Sequence, residues 1–97
     1  MKFYERHRKE ILEAVAEEGM SKDEFSFIKR RGRIMTQHNE SKNMFSYFQK
    51  EEIGVEEISG DWKDVTYFEI QISGHKVKRV DDWPVVIHQM RTWLKSL

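Results

Sequence analysis

Four histidines could carry acid–base or metal chemistry in this 97-residue chain: His7, His38, His75 and His88. No two of them stand at a metal-binding spacing such as that of H-E-x-x-H. His7 falls on the apolar stripe of a predicted helix, where we expect a packing role. We expect the other three to be solvated, His38 and His75 at strand ends or turns and His88 on a helix surface. The histidines therefore indicate no catalytic or metal centre.

Other motifs for chemistry are also missing from the sequence. The chain has no cysteine, which excludes disulfides, thiolate metal sites and a cysteine nucleophile. It contains no P-loop, no dinucleotide fingerprint and no G-x-S-x-G element. We therefore expect no catalytic residue, no metal and no cofactor.

Basic residues are concentrated in two predicted turns. The clusters comprise Lys29, Arg30, Arg31 and Arg33, and Lys76, Lys78 and Arg79. If both turns lie at the same end of a sheet, they could contact phosphates. Tyr47 or Tyr67 could then stack on bases. A solvated basic surface and a patch for a protein partner are the alternatives.

Acidic residues are concentrated in "EEIGVEEISGDWKD", residues 51–64, which we expect to be a loop. The loop would repel a nearby polyanion or pair with the basic turns. It also contains Trp62. If this tryptophan is exposed, it suggests an interface anchor; otherwise it packs in the core, as we expect for Trp83 and Trp93.

Hydrophobic periodicity predicts a helix at each end of the chain, over residues 1–19 and 81–97. Gly19 can end the first helix, and Asp81 or Asp82 can cap the second, with Pro84 in its first turn. In the first helix the basic residues precede the acidic ones, which opposes the helix dipole. Either packing tolerates this order or the basic end has a partner.

Alternating residues predict the strands between the helices. The predicted strands span residues 25–30, 33–38, 44–49 and 65–73, with a short return strand over 75–80. Arg31-Gly32 can form a tight hairpin turn, because glycine adopts a positive φ. Ser21–Glu24 fits a capping box, which here predicts a turn before the first strand.

This order predicts one α+β domain over residues 1–97. We expect a helix, a three- to four-stranded antiparallel sheet and a C-terminal helix, with both helices on one face. The predicted core comprises Ile11, Val15, Phe68, Ile70, Ile72, Ile87, Met90 and Leu94.

The helix–strands–helix order, with Asp64 preceding the triplet Glu69–Gln71 on the clearest strand, resembles the core of the PD-(D/E)xK nucleases. The resemblance implies a metal held by Asp64 and Glu69. The chain departs from that pattern, because Gln71 stands where the family has a lysine.

Charge and hydropathy reduce the number of possible functions. Seventeen basic and seventeen acidic residues give a net charge of zero, so the whole chain does not attract nucleic acid or an anionic membrane. No apolar stretch suggests a signal peptide or a membrane span. We expect a cytoplasmic, non-enzymatic module that binds another protein or itself. The alternatives are a nucleic-acid-binding domain using the turns at 29–33 and 76–79, and a fragment of a metal nuclease.

Overall fold

The computed structural model describes residues 3–56 and 58–97, with the side chains of 7–54, 56 and 58–97. Its elements are α1 Phe3–Glu17, β1 Phe25–Arg30, β2 Arg33–His38, β3 Met44–Glu56, β4 Trp62–Ile72, β5 Lys78–Val80 and α2 Trp83–Lys95. The strands form one antiparallel sheet in the order β1-β2-β3-β4-β5. The predicted α+β class is confirmed. The predicted three or four strands are too few, because the return strand β5 pairs with β4 as a fifth member.

Local signals fix the first third of the chain. Gly19 adopts a φ of 74° after α1, and the Met20 amide donates to the Val15 carbonyl at 3.1 Å. This left-handed glycine ends the helix as predicted. The capping box at Ser21 is also present, and it starts a single 3-10 turn before β1.

The β1–β2 hairpin turns through Arg31 and Gly32, whose φ angles are 51° and 81°. Two positive φ values in a two-residue loop match the right-handed twist of the strands. A Cβ atom on Gly32 would lie 2.9 Å from the Phe48 ring, so the close approach of this ring also requires glycine.

One face of the sheet carries the core. Alternate residues of the strands point to this face and pack against α2 and α1, since side chains of a strand alternate between faces. The buried apolar residues form one cluster: Ile11, Ala14, Val15, Phe25, Ile34, Phe45, Tyr47, Phe68, Ile70, Val80, Val86, Met90, Trp93 and Leu94. Of the predicted core, Ile72 and Ile87 are only half-buried against this cluster. We call the opposite surface of the sheet the open face.

The two helices lie side by side and run in the same direction. Glu10, in the middle of α1, accepts a hydrogen bond at 2.6 Å from the indole of Trp83 at the N-terminal end of α2. Glu17 pairs with Arg91 at 2.6 Å and Glu18 with Lys95 at 3.9 Å near their C-terminal ends. The acidic end of α1 therefore faces basic residues of α2, which accounts for a charge order that opposes its own dipole. No helix among the described residues has the length and apolar character needed to cross a membrane.

Candidate interaction surfaces

The β3–β4 hairpin projects beyond the rest of the sheet. Pairing of β3 with β2 stops at Phe48, and pairing of β4 with β5 begins only at Phe68. Gln49 pairs only with Phe68, and the residues beyond them on the two strands pair only with each other. We call residues 49–67 the arm. The molecule measures 50 × 30 × 25 Å, as an elongated projection requires. Most of the segment 51–64, predicted to be a loop, is thus strand.

A β-bulge shapes the arm. Glu52 pairs with Val65 and Val55 with Lys63, so Ile53 and Gly54 stand opposite Asp64 alone. Gly54 adopts a φ of 70°, and its amide donates to Asp64 Oδ1 at 3.2 Å. Bulges of this kind bend and twist a strand pair. Asp64 therefore has a structural partner in the arm.

The arm exposes large apolar side chains. Ile53 is 80% exposed, Trp62 is 67% exposed and Ile58 is fully exposed. Trp62 is therefore not a core residue, whereas Trp83 is half-buried and Trp93 is buried. The sequence offered Trp62 as a candidate, but Ile53 and Ile58 were missed because they fell in a predicted loop.

The arm is also acidic. Its described acidic residues are Glu51, Glu52, Glu56, Asp61 and Asp64, against Lys50 and Lys63. Glu57 lies outside the described residues. The exposed apolar side chains of the arm therefore have mostly acidic neighbours.

The two basic turns lie at opposite ends of the sheet. The first follows β1 and the second follows β4, and these two strands run in opposite directions in the antiparallel order. Lys76 is in the second turn and is exposed there, away from Arg31. Joint binding of phosphates by both turns required them to lie at the same end of the sheet. They do not.

One residue of the second cluster nevertheless shares a row with the first. Successive partners across the sheet place five residues in line: Arg30, Arg33, Phe48, Glu69 and Arg79. Arg79 lies over the Tyr67 ring at 3.9 Å and pairs with Glu52 at 2.6 Å. The hydrogen bond that Arg79 donates to Glu52 raises the pKa of Arg79 above its ordinary value. The charge of Arg79 is thus balanced within the chain, whereas an arginine that binds phosphate needs an unpaired charge.

The open face carries a basic patch at the base of the arm. A shallow depression there is lined by Arg30, Arg31, Arg33, Lys50, Phe48, Met35 and Glu69. The charges of Arg33 and Lys50 lie 5.8 and 5.7 Å from the centre of the Phe48 ring. Lys50 pairs with Glu69 at 3.2 Å, but no ion pair between described residues involves the three arginines.

Other candidates from the sequence fall outside this patch. Tyr47 is buried on the helix side, so it does not offer a surface for base stacking. Tyr67 lies on the open face but beneath Arg79. Lys29 and Lys78 are exposed, and their positions alternate with Arg30 and Arg79, which places them on the helix side of the edge strands.

The carboxylates that suggested a nuclease do not come together. Asp64 and Glu69 are five residues apart on β4, which places them on opposite faces of the sheet. Asp64 accepts from Gly54, and Glu69 pairs with Lys50. No group of three or more His, Asp or Glu side chains among the described residues is arranged to hold a metal ion.

The histidines divide into two buried and two exposed residues. His7 stacks on Trp83 at 3.6 Å between ring centres, which agrees with the predicted packing role. His38 is buried, contrary to prediction, beside Phe25 and within 2.8 Å of Ser41 Oγ. It shares the helix side of β2 with Ile34, and this alternation was the signal for its burial. His75 and His88 are exposed, as predicted.

Comparison of the chain with known protein families, curated proteins and solved structures gives no match. Its class is therefore defined by its own topology: a five-stranded antiparallel meander with two helices on one face. Two features of that fold are candidate interaction surfaces. They are the acidic arm with its apolar side chains and the basic patch at its base.

Proposed function

We propose that the protein is a self-associating interaction module that binds through the arm, with Trp62 as the anchor. The observation that carries this proposal is the exposure of Ile53, Ile58 and Trp62 on one projecting hairpin. Association would remove this apolar surface from water, and tryptophan is enriched among residues that dominate binding energy.

The construction of the arm supports the same proposal. A two-stranded hairpin is marginally stable in water unless further strands or a helix pack with it. Beyond Phe48 and Phe68, the described residues of the arm pair with no other strand of the sheet. A second protein surface would supply the missing contacts. The net charge of zero also removes the long-range repulsion that would oppose association of two copies.

Trp62→Ala is expected to weaken self-association by about 30-fold or more, the effect of losing a residue that contributes about 2 kcal/mol. Sedimentation equilibrium over a range of protein concentrations would measure the dissociation constant. The free energy of unfolding should change by no more than about 0.5 kcal/mol, because Trp62 is exposed in the folded monomer.

Val85→Ala provides the matched control, since Val85 is an exposed apolar residue on α2 and is not part of the arm. This variant should associate like the wild type. A wild-type chain that stays monomeric up to millimolar concentration would contradict the proposed function. Equal weakening by both substitutions would also count against it.

The basic patch favours one other candidate function, nucleic-acid binding, because Phe48 is flanked there by Arg30, Arg31 and Arg33. We expect oligonucleotides to bind no tighter than about 10⁻⁴ M at about 150 mM salt, the weak end of nonspecific binding. The reason is that Lys50 and Arg79 are already paired with carboxylates.

A titration of labelled oligonucleotides at two salt concentrations would test this expectation. Micromolar binding that is lost in Arg30→Glu/Arg31→Glu would favour the nucleic-acid function instead. In that case the logarithm of the binding constant should fall with the logarithm of salt by about 0.7 to 0.9 per phosphate contact.

A further inference from the structure

We infer that the arm of one copy docks on the basic patch of a second copy. The two copies would form a symmetric dimer about a two-fold axis, in which each arm contacts the patch of the other copy. This inference rests on the proposed function and identifies the surface that receives the arm. Symmetric pairs are the commonest assemblies of soluble proteins, and each interface residue then occurs twice.

Charge complementarity is the first argument. Beyond Lys50, the described residues of the arm carry five acidic side chains against Lys63, whereas the patch presents four basic side chains, Lys50 among them, against Glu69. The chain has a net charge of zero, so the negative charge of the arm and the positive charge of the patch are two local concentrations of charge in a balanced total. Complementary patches of this kind steer association and fix its register.

The patch can also receive apolar side chains. Phe48 and Met35 form part of its floor and are only half-buried. The guanidinium groups of Arg30 and Arg31 are free of ion pairs within the described chain and can stack on an incoming tryptophan. Trp62 would thereby lose its exposure to water and gain a cation–π contact.

The position of the patch requires a second copy. Phe48 and Lys50 lie where the arm leaves the sheet, and the paired strands then run away from that point. Eight residues of β3, 49–56, extend about 26 Å at about 3.3 Å per residue. The tip of an arm therefore cannot reach its own base. Two arms side by side and antiparallel would set each tip on the base of the other.

Edge-to-edge pairing of two β3 arms is the competing arrangement, and the sequence opposes it. The free edge carries Glu51, Glu52 and Glu56, so two such edges would place like charges opposite one another. The bulge at Ile53-Gly54 also interrupts the regular ladder that edge pairing needs. Docking of the arm on the basic patch meets neither obstacle, because the patch has the opposite charge and the contact needs no regular ladder.

Charge reversal in two variants tests the inference. The arm-reversed chain carries Glu51→Lys and Glu56→Lys, and the patch-reversed chain carries Arg30→Glu and Arg31→Glu. None of these four residues is in an ion pair among the described residues, and all are exposed. Each variant alone should self-associate at least about 100-fold more weakly than the wild type, because like charges then meet at both contacts.

Mixing the two variants gives the decisive result. Each arm then meets a patch of opposite charge, so an equimolar mixture should form a heterodimer with affinity near that of the wild type. A chain that carries all four substitutions should recover self-association for the same reason. Sedimentation of one fluorescently labelled variant with the other unlabelled would detect the heterodimer, and thermal unfolding would check that each variant is folded.

Net charge needs its own control. Asp23→Lys/Glu40→Lys changes the net charge as much as the arm reversal but on exposed residues outside the arm and the patch. This variant should still self-associate. If Trp62→Ala weakens association while both reversed variants behave like the wild type, the arm docks elsewhere; the inference is overturned and the proposed function stands. Weakening by each reversal without recovery in the mixture would also overturn the inference.

Discussion

Replacing Trp93 by alanine is expected to lower the free energy of unfolding by about 3–5 kcal/mol. The side chain is 3% exposed and lies on the buried side of α2. Its ring lies 6.1 Å from that of Phe25 on β1 and 5.9 Å from that of Phe45 on β3. Alanine would leave a cavity between the helix and two strands, and these contacts would be lost together. Domains are stable by only about 5–15 kcal/mol, so the loss would be a large share of the total.

Urea unfolding followed by circular dichroism would measure this loss, and Trp62→Ala is its matched control. The control removes the same side chain from the arm, where it is largely exposed, and should change the free energy of unfolding by no more than about 0.5 kcal/mol. The two variants separate the two roles of tryptophan: Trp93 should affect folding, and Trp62 should affect association. Similar losses of stability from both would contradict the placement of the arm.

The sequence predicted elements whose signals are local. The Arg31-Gly32 turn followed from a residue that tolerates positive φ, and the second helix from its apolar stripe and the proline in its first turn. These signals act within a few residues, so they do not depend on the rest of the fold. The capping box at Ser21 is a further example, since both of its hydrogen bonds form within four residues.

The arm could not be predicted in the same way. Its strands are rich in glutamate and aspartate, which are uncommon in strands and gave the segment the composition of a loop. What holds it is the pairing of residues 49–56 with 62–68, and the hydrogen bond of Asp64 to Gly54 at the bulge. Neither has a signature in hydrophobic periodicity. The charge order of α1 was unexplained for a similar reason, because Arg91 and Lys95 are more than seventy residues away in the chain.

The separation of the basic turns, in contrast, was already implied by the predicted strands. In an antiparallel meander, successive turns alternate between the two ends of the sheet. The turn after the first predicted strand and the turn after the fourth must then lie at opposite ends, as they do. A residue of one basic cluster can approach the other cluster only if it lies within a strand rather than in the turn. Arg79 does so, because it lies on β5 in the row across the sheet that contains Arg33.

Replacing Ile70 by alanine is expected to cost about 2–5 kcal/mol of unfolding free energy. Ile70 lies at the centre of the helix side of β4, buried and paired with Tyr47 of β3 and Lys78 of β5. Its neighbour Gln71 points to the open face and is exposed, so Gln71→Ala should change stability by no more than about 0.5 kcal/mol. The pair compares adjacent positions on one strand and so tests which face of β4 is buried.

Urea unfolding of both variants would decide the assignment of faces. Because side chains alternate along a strand, a slip of one residue in β4 would exchange the two results. A loss below about 1 kcal/mol for Ile70→Ala, with a larger loss for Gln71→Ala, would show that the faces are inverted. Glu69 would then lie against the helices, and the basic patch would lose part of its lining. The expected difference between the two variants therefore supports the core and the binding surface at once.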